Sequence, residues 1–202
     1  PNKIGYFSFT QKAAYEARDR AMDKFNLSED DLPYFRTLHS LAFRKLGIKK
    51  ENVMQRKHYV DLGNKINMRI DYNEYDEEQT GIFTTHSDYL RVIQLAQLRG
   101  ITPEQQYNLR EHSQDLSVRD LKILDGELKA YKKQYGLIDF NDMITQFIKS
   151  DVCPKFDTVF IDEAQDLSRM QWDMATALMF NAEDSFIAGD DDQAIFRWAG
   201  AD

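Results

Sequence analysis

The pattern of apolar and polar positions divides the chain into two structured ends and a polar middle. Residues 4–9 (IGYFSF) form a short apolar, β-rich run, and residues 11–25 continue with helix formers and neither Gly nor Pro. Residues 34–37 read as another strand, and a helix over 39–46 stops at Gly47. Residues 116–135 carry a long amphipathic pattern ending at Gly136, and 139–149 carry a second one. Residues 157–161 (DTVFI) are an apolar run bounded by charges, the pattern of a buried strand. A helix over 169–180 follows, then a second buried strand over 185–188 (SFIA) that ends in Gly189. Strand, helix and strand within about thirty residues make a βαβ unit, which implies a parallel sheet. Ligands of such sheets sit beyond the carboxyl ends of the strands.

Residues 48–118 differ. They are polar, hold Gly63, Gly81 and Gly100 as breakers, and show helical patterning without strong strands. The expected fold is therefore α/β: a parallel sheet flanked by helices, formed by residues 1–47 and 119–202, with 48–118 as an inserted, mainly helical subdomain. The first strand opens the chain with no leader, so a missing upstream segment is expected.

Composition narrows the class. A 42% hydrophobic and 12% aromatic share is that of a folded globular protein. No run approaches the roughly 18 apolar residues that cross a bilayer, so no membrane partner is expected. A single cysteine, Cys153, cannot form an internal disulfide and fits a cytoplasmic location, the host cytoplasm for a phage-encoded chain. The formal net charge of −8 argues at first against nucleic acid. However, the acids clump at 29–31, 71–78 and 190–192, while Arg and Lys spread along predicted helices. A local groove can therefore still be basic or aromatic.

Three constellations carry candidate chemistry. Asp162-Glu163-Ala164-Gln165-Asp166 directly follows the VFI strand. A carboxylate at a strand end is placed to hold Mg²⁺, and its neighbour to activate a water that attacks a phosphoryl group. An acidic turn capping the next helix, with Asp166 or Ser168 as N-cap, gives the same pattern. Gly189-Asp190-Asp191-Asp192-Gln193 follows the SFIA strand, then Phe196, Arg197 and Trp198. Three successive acids suit a metal–nucleotide site, Gln193 can sense a phosphate without adding charge, and flat rings can stack on unpaired bases. The alternative is a loop with core aromatics. Phe9, Thr10 and Lys12 stand at a strand–helix junction able to seat a DNA phosphate, and Thr37 and His39 stand at a second. Ordinary N-caps would look alike.

Taken together, these segments resemble the first motor domain of superfamily 1 DNA helicases of the UvrD/Rep type. SFTQKAA and TLHS are similar to that family's single-strand-binding motifs, and IDFNDMI to the segment before its Walker B strand. VFIDEAQD resembles its Walker B motif, and GDDDQAIFRWAGAD the motif that couples ATP to DNA. The likeness covers residues 3–47 and 119–202 and is thin between them. It implies a RecA-like P-loop NTPase core in truncated form. ATP and Mg²⁺ would be cofactors, single-stranded DNA and DNA junctions the partners, and 3′→5′ translocation with duplex unwinding the activity. Asp162 would bind Mg²⁺, Glu163 would activate water, and Gln193 would contact the γ-phosphate. Phe9, Phe196 and Trp198 would stack on bases, with Thr10, Lys12, Thr37, His39 and Arg197 also on the DNA side. Ala199 stands where relatives often carry an arginine, and Ser8 and Gln11 replace the commoner Thr and Asn.

The 202 residues contain no G-x-x-x-x-G-K-[S/T] run, the loop that cradles phosphates. It is expected just upstream of Pro1, and these residues alone are expected not to hydrolyse ATP. Two other readings share the motifs: the helicase part of a helicase–nuclease subunit, and a helicase-like module that binds single-stranded DNA or a protein without chemistry. A metal-dependent nuclease on Asp162, Glu163 and Asp166 stands furthest off.

Overall fold

The computed structural model describes residues 1–70, 85, 87–113, 115–190 and 192. The chain divides into two compact units, Pro1–Gly47 with Met143–Asp202, and Ile48–Asp142.

The first unit is built on four strands, β1 (Ile4–Ser8), β2 (Phe35–Thr37), β3 (Phe156–Asp162) and β4 (Ala182–Ile187). Their order is β2-β1-β3-β4, and every neighbouring pair is parallel. Tyr6 stands beside Phe35 on one side and Phe160 on the other, and Phe160 stands beside Phe186. Ser8 stands beside Thr37 and Asp162 at the carboxyl ends. The α/β class and parallel sheet expected from the sequence are what the chain forms.

Each connecting helix starts on a local signal. Helix α1 (Gln11–Phe25) begins where the Thr10 hydroxyl accepts the Ala13 N–H at 3.2 Å. Helix α2 (Leu38–Lys45) begins the same way, with Thr37 accepting the Ser40 N–H. The βαβ helix, Arg169–Phe180, carries a reciprocal box: Ser168 Oγ accepts from Gln171 N, and Gln171 Oε1 accepts from Ser168 N at 2.8 Å. Such caps satisfy N–H groups that a helix leaves open and contribute about 1 kcal/mol each. Phe7, Val159 and Ile161 are buried, as are Met174, Ala175 and Leu178 of that last helix. Each large side chain so buried stabilises the unit by roughly 1.5–3 kcal/mol.

Strand β4 departs from expectation. The SFIA run reads as a buried strand, yet Phe186 and Ile187 are 55% and 54% exposed. The strand also starts three residues earlier than its apolar run, at Ala182. The reason is position: β4 is the outer strand of the described sheet, so its apolar side chains meet neighbours on one side only. Phe186 stacks on Phe160 at 5.1 Å between centroids, a contact between two partly open rings.

The second unit is helical. It contains α3 (Arg56–Ile66), α4 (Asp88–Arg99), α5 (Pro103–Asn108) and α6 (Val118–Tyr135), and ends within α7 (Phe140–Lys149). Its core joins Tyr59 and Leu62 of α3, Leu90 and Ile93 of α4, and Leu121, Leu124, Leu128 and Tyr131 of α6. The chain returns to the first unit at Met143, whereas the sequence pattern places that return at residue 119. Helix α6 supplies four buried residues to the helical core, and that packing draws it into the second unit. Of the three breakers, Gly63 lies inside α3, where a Cβ would stand 2.5 Å from the Met68 carbonyl oxygen. Gly100 is the left-handed C-cap of α4, and Gly81 lies outside the described residues. At the end of α6, Lys132 Nζ lies 2.6 Å from carboxylates of both Asp139 and Asp142, all within this unit. Asp139 and Asp142 also cap each other's backbone N–H groups at the start of α7.

Candidate nucleotide and nucleic-acid site

The apolar β3 strand carries its final residue, Asp162, to the carboxyl edge of the sheet. The backbone then turns sharply, because Glu163 adopts the left-handed conformation at φ 53° and ψ 41°. Such a conformation is uncommon for a non-glycine residue, and the side chain of Gln165 braces it here. Gln165 Nε2 donates to Glu163 Oε2 at 2.6 Å, and Gln165 Oε1 accepts the Asp190 N–H at 3.0 Å. One amide side chain therefore links the acidic turn after β3 to the acidic turn after β4. Backbone bonds reinforce the link, Ala164 N to Ala188 O at 3.0 Å and Ala188 N to Ile161 O at 2.8 Å. A Cβ at Gly189 would lie 2.9 Å from Gln165 Oε1 and 3.2 Å from the Gln165 backbone nitrogen, so a larger residue would push the bridging amide aside. Asp190 Oδ1 accepts the Asp192 N–H, which curls the turn back on itself.

Tyr6, one strand over on β1, donates its hydroxyl to Asp162 Oδ2. Burial, then this bond, raise the phenol's pKa well above its usual value, so the proton stays on the tyrosine. The ring is held by stacking on Phe35 at 5.4 Å. Ser8, level with Asp162 in the register, is buried with no partner for its hydroxyl among the described residues. A magnesium ion suits this donor set. It takes one or two carboxylates and completes its shell with waters and substrate phosphates, so it needs no cage of three protein acids. Asp162 offers Oδ1 without a described protein donor, and Glu163 and Ser8 stand beside it in sequence and register.

The expected DNA-side residues divide by burial. Lys12 is exposed and Thr10 half-buried at the junction after β1. Phe9 is 3% exposed and His39 and Thr37 are each 7% exposed. The Phe9 ring therefore has no open face for a base in this arrangement, and the hydroxyls of Thr10 and Thr37 serve as N-caps. Residues that begin an inward-packed helix close to a buried strand are drawn into the core, which a short motif does not reveal. Gln193, Phe196, Arg197 and Trp198 lie outside the described residues. Two participants are not apparent from the sequence, Tyr6 and the bridging role of Gln165. The signal for Tyr6 is only its place two residues before the strand's end.

A parallel sheet flanked by helices, with acidic turns leaving the ends of two adjacent strands, defines a RecA-like α/β domain. The family model described as "UvrD/REP helicase N-terminal domain" matches residues 1–202, and the chain belongs to that family. It is 25% identical over 210 residues to the ATP-dependent DNA helicase Rep of Buchnera aphidicola subsp. Acyrthosiphon pisum (strain APS). It is 27% identical over 221 residues to the ATP-dependent DNA helicase PcrA of Bacillus subtilis (strain 168), and 25% over 229 to DNA helicase II of Escherichia coli (strain K12). Each match covers 100% of this chain but only 32%, 28% and 29% of those proteins, so the chain spans about a third of their length or less. Among the described residues, no helix is long and apolar enough to cross a membrane.

Proposed function

We propose that this chain is the ATP-handling part of a DNA helicase that moves 3′→5′ along single-stranded DNA, works at DNA junctions and unwinds duplex by hydrolysing ATP. Bound Mg²⁺ would supply charge neutralisation at the β- and γ-phosphates. Asp162 would hold that ion, with Tyr6 fixing the orientation of its carboxylate. Glu163 would orient and deprotonate the attacking water, and Gln193 would report on the γ-phosphate. Thr10, Lys12, Phe196, Arg197 and Trp198 would face the DNA. Phe9, Thr37 and His39 would act from beneath, by setting the two strand–helix junctions.

The observation that carries this reading is the Glu163–Gln165–Asp190 chain of hydrogen bonds across the ends of two neighbouring strands. It couples the residue proposed to act on water to the turn that leads toward Gln193. The test uses the complete protein. Glu163→Gln should lower DNA-stimulated ATP hydrolysis by roughly 10²–10⁴-fold, the usual contribution of a positioned base, while nucleotide binding persists. Hydrolysis at the parent rate by that variant sinks the assignment. The 202 residues by themselves should bind ATP weakly and not turn it over, and vigorous DNA-stimulated turnover by them would overturn that expectation.

A further inference from the structure

Arg36 lies in the middle of the edge strand β2, with only 9% of its surface exposed. Among the described residues its Nε has no hydrogen-bond partner, and its Nη1 makes one long bond, 3.4 Å, to Ser40 Oγ. Among the described residues no carboxylate pairs with it. Buried arginines are ordinarily paired, because an uncompensated charge away from water is costly. Burial, and then the charge of Arg44, bring the guanidinium's pKa down to about 10, so it remains charged at neutral pH.

This side chain borders a cleft of about 300 Å³ bounded by α1, the 29–33 segment, β2 and α2. Arg18, Glu29, Asp30, Ser40 and Arg44 also line it. Arg18 is already engaged with Glu29 at 2.6 Å and with Asp19 at 3.2 Å. Arg44 is exposed and has no described ion pair, and its charge reaches Arg36. With Glu29 committed to Arg18, the described lining sets the guanidinium groups of Arg36 and Arg44 and the Ser40 hydroxyl against the carboxylate of Asp30. Two arginines and a hydroxyl around an open space match the forked acceptor geometry of a phosphate.

We propose that this cleft binds a phosphate group, gripped by Arg36 and Arg44 with the Ser40 hydroxyl as a further donor. The source would be the phosphodiester backbone of a nucleic-acid strand or a small phosphorylated molecule, and only the first source rests on the proposed helicase function.

The experiment uses the complete protein, with Arg36→Gln and Arg44→Gln as variants. Arg44 is exposed, so its variant keeps the test alive if Arg36→Gln fails to fold. In the first arm, inorganic phosphate is titrated at constant ionic strength and the thermal midpoint is read. Phosphate should raise the midpoint more in the parent than in either variant. In the second arm, affinity for a single-stranded oligonucleotide is measured against salt, and each variant should flatten the log–log slope by about one. Both effects together assign the cleft to a nucleic-acid phosphate. The first without the second assigns it to a small phosphorylated ligand. The absence of both effects overturns the proposal. If the parent fails to bind the oligonucleotide at all but the phosphate effect persists, the helicase reading falls and the phosphate site stands.

Discussion

The Tyr6 hydroxyl donates to Asp162 Oδ2, so the carboxylate that ends β3 is held by a residue 156 positions earlier on the neighbouring strand β1. That bond fixes one oxygen of the proposed magnesium ligand and leaves the other available. Tyr6→Phe removes the bond and keeps the ring stacked on Phe35. In the complete protein the magnesium concentration for half-maximal ATP hydrolysis should rise roughly tenfold, as expected for losing a hydrogen bond to a charged group. The maximal rate should fall far less. An unchanged magnesium dependence would mean that Tyr6 plays no part in ion binding. Because the phenol's folded pKa is raised, its contribution to stability is complete below the ordinary value of 10.0 and fades only as pH climbs through the higher folded value.

Gln165 spans the two acidic turns. Gln165→Ala should leave Glu163 free to rotate while keeping its charge. Turnover should then drop about tenfold with little change in the KM for ATP, a loss confined to the transition state. Steady-state kinetics on the complete protein separate this from a binding defect, which would move KM instead.

Lys132 is buried between Asp139 and Asp142. Burial alone would lower its pKa, but the two carboxylates outweigh that and raise it, so the ammonium is retained in the fold. Lys132→Met strands a buried acid, Asp139, and a half-buried one, Asp142, and should cost about 3–5 kcal/mol in denaturant unfolding. For Asp142 it is the neutral form that the surroundings favour. Burial, then its neighbour Asp139, raise its pKa, so ionising it draws stability away as pH rises through that folded value. Asp142→Asn should therefore cost much less than Lys132→Met, and equal losses would contradict this account of the triad.

Thr37 and Ser168 each accept a helix N-terminal N–H. Thr37→Ala and Ser168→Ala should each destabilise by about 1 kcal/mol, and Thr37→Ser by little, read as shifts in the denaturation midpoint. A Thr37→Ala variant of unchanged stability but weakened DNA binding would return Thr37 to direct contact with the strand.

Much of the fold is legible in the sequence because its signals are local. The Arg169–Phe180 helix announces itself through Ser168 and Gln171, three residues apart, and the end of α6 through Gly136. The β1 and β3 strands stand out as apolar runs, and the acids at β3's end follow from strand length alone. Exposure of β4 is not legible, because an apolar strand looks the same whether neighbours cover one side or two. Phe9 sits in a motif that suggests an open ring, yet its burial depends on what packs over the junction.

The sequence by itself determined where most elements begin and end, that the sheet is parallel, and that two acidic turns leave its strands. The element bounds arise from periodicity and capping, which act over three or four residues, and the parallel sheet from the strand–helix–strand order of about thirty. Only the tertiary structure decided that Tyr6 meets Asp162, that Gln165 joins the two turns, that α6 packs into the helical unit and that Arg36 is buried without a counter-ion among the described residues. Strand order and helix docking set those contacts. They depend on which distant surfaces bury each other best, and no local pattern encodes that choice.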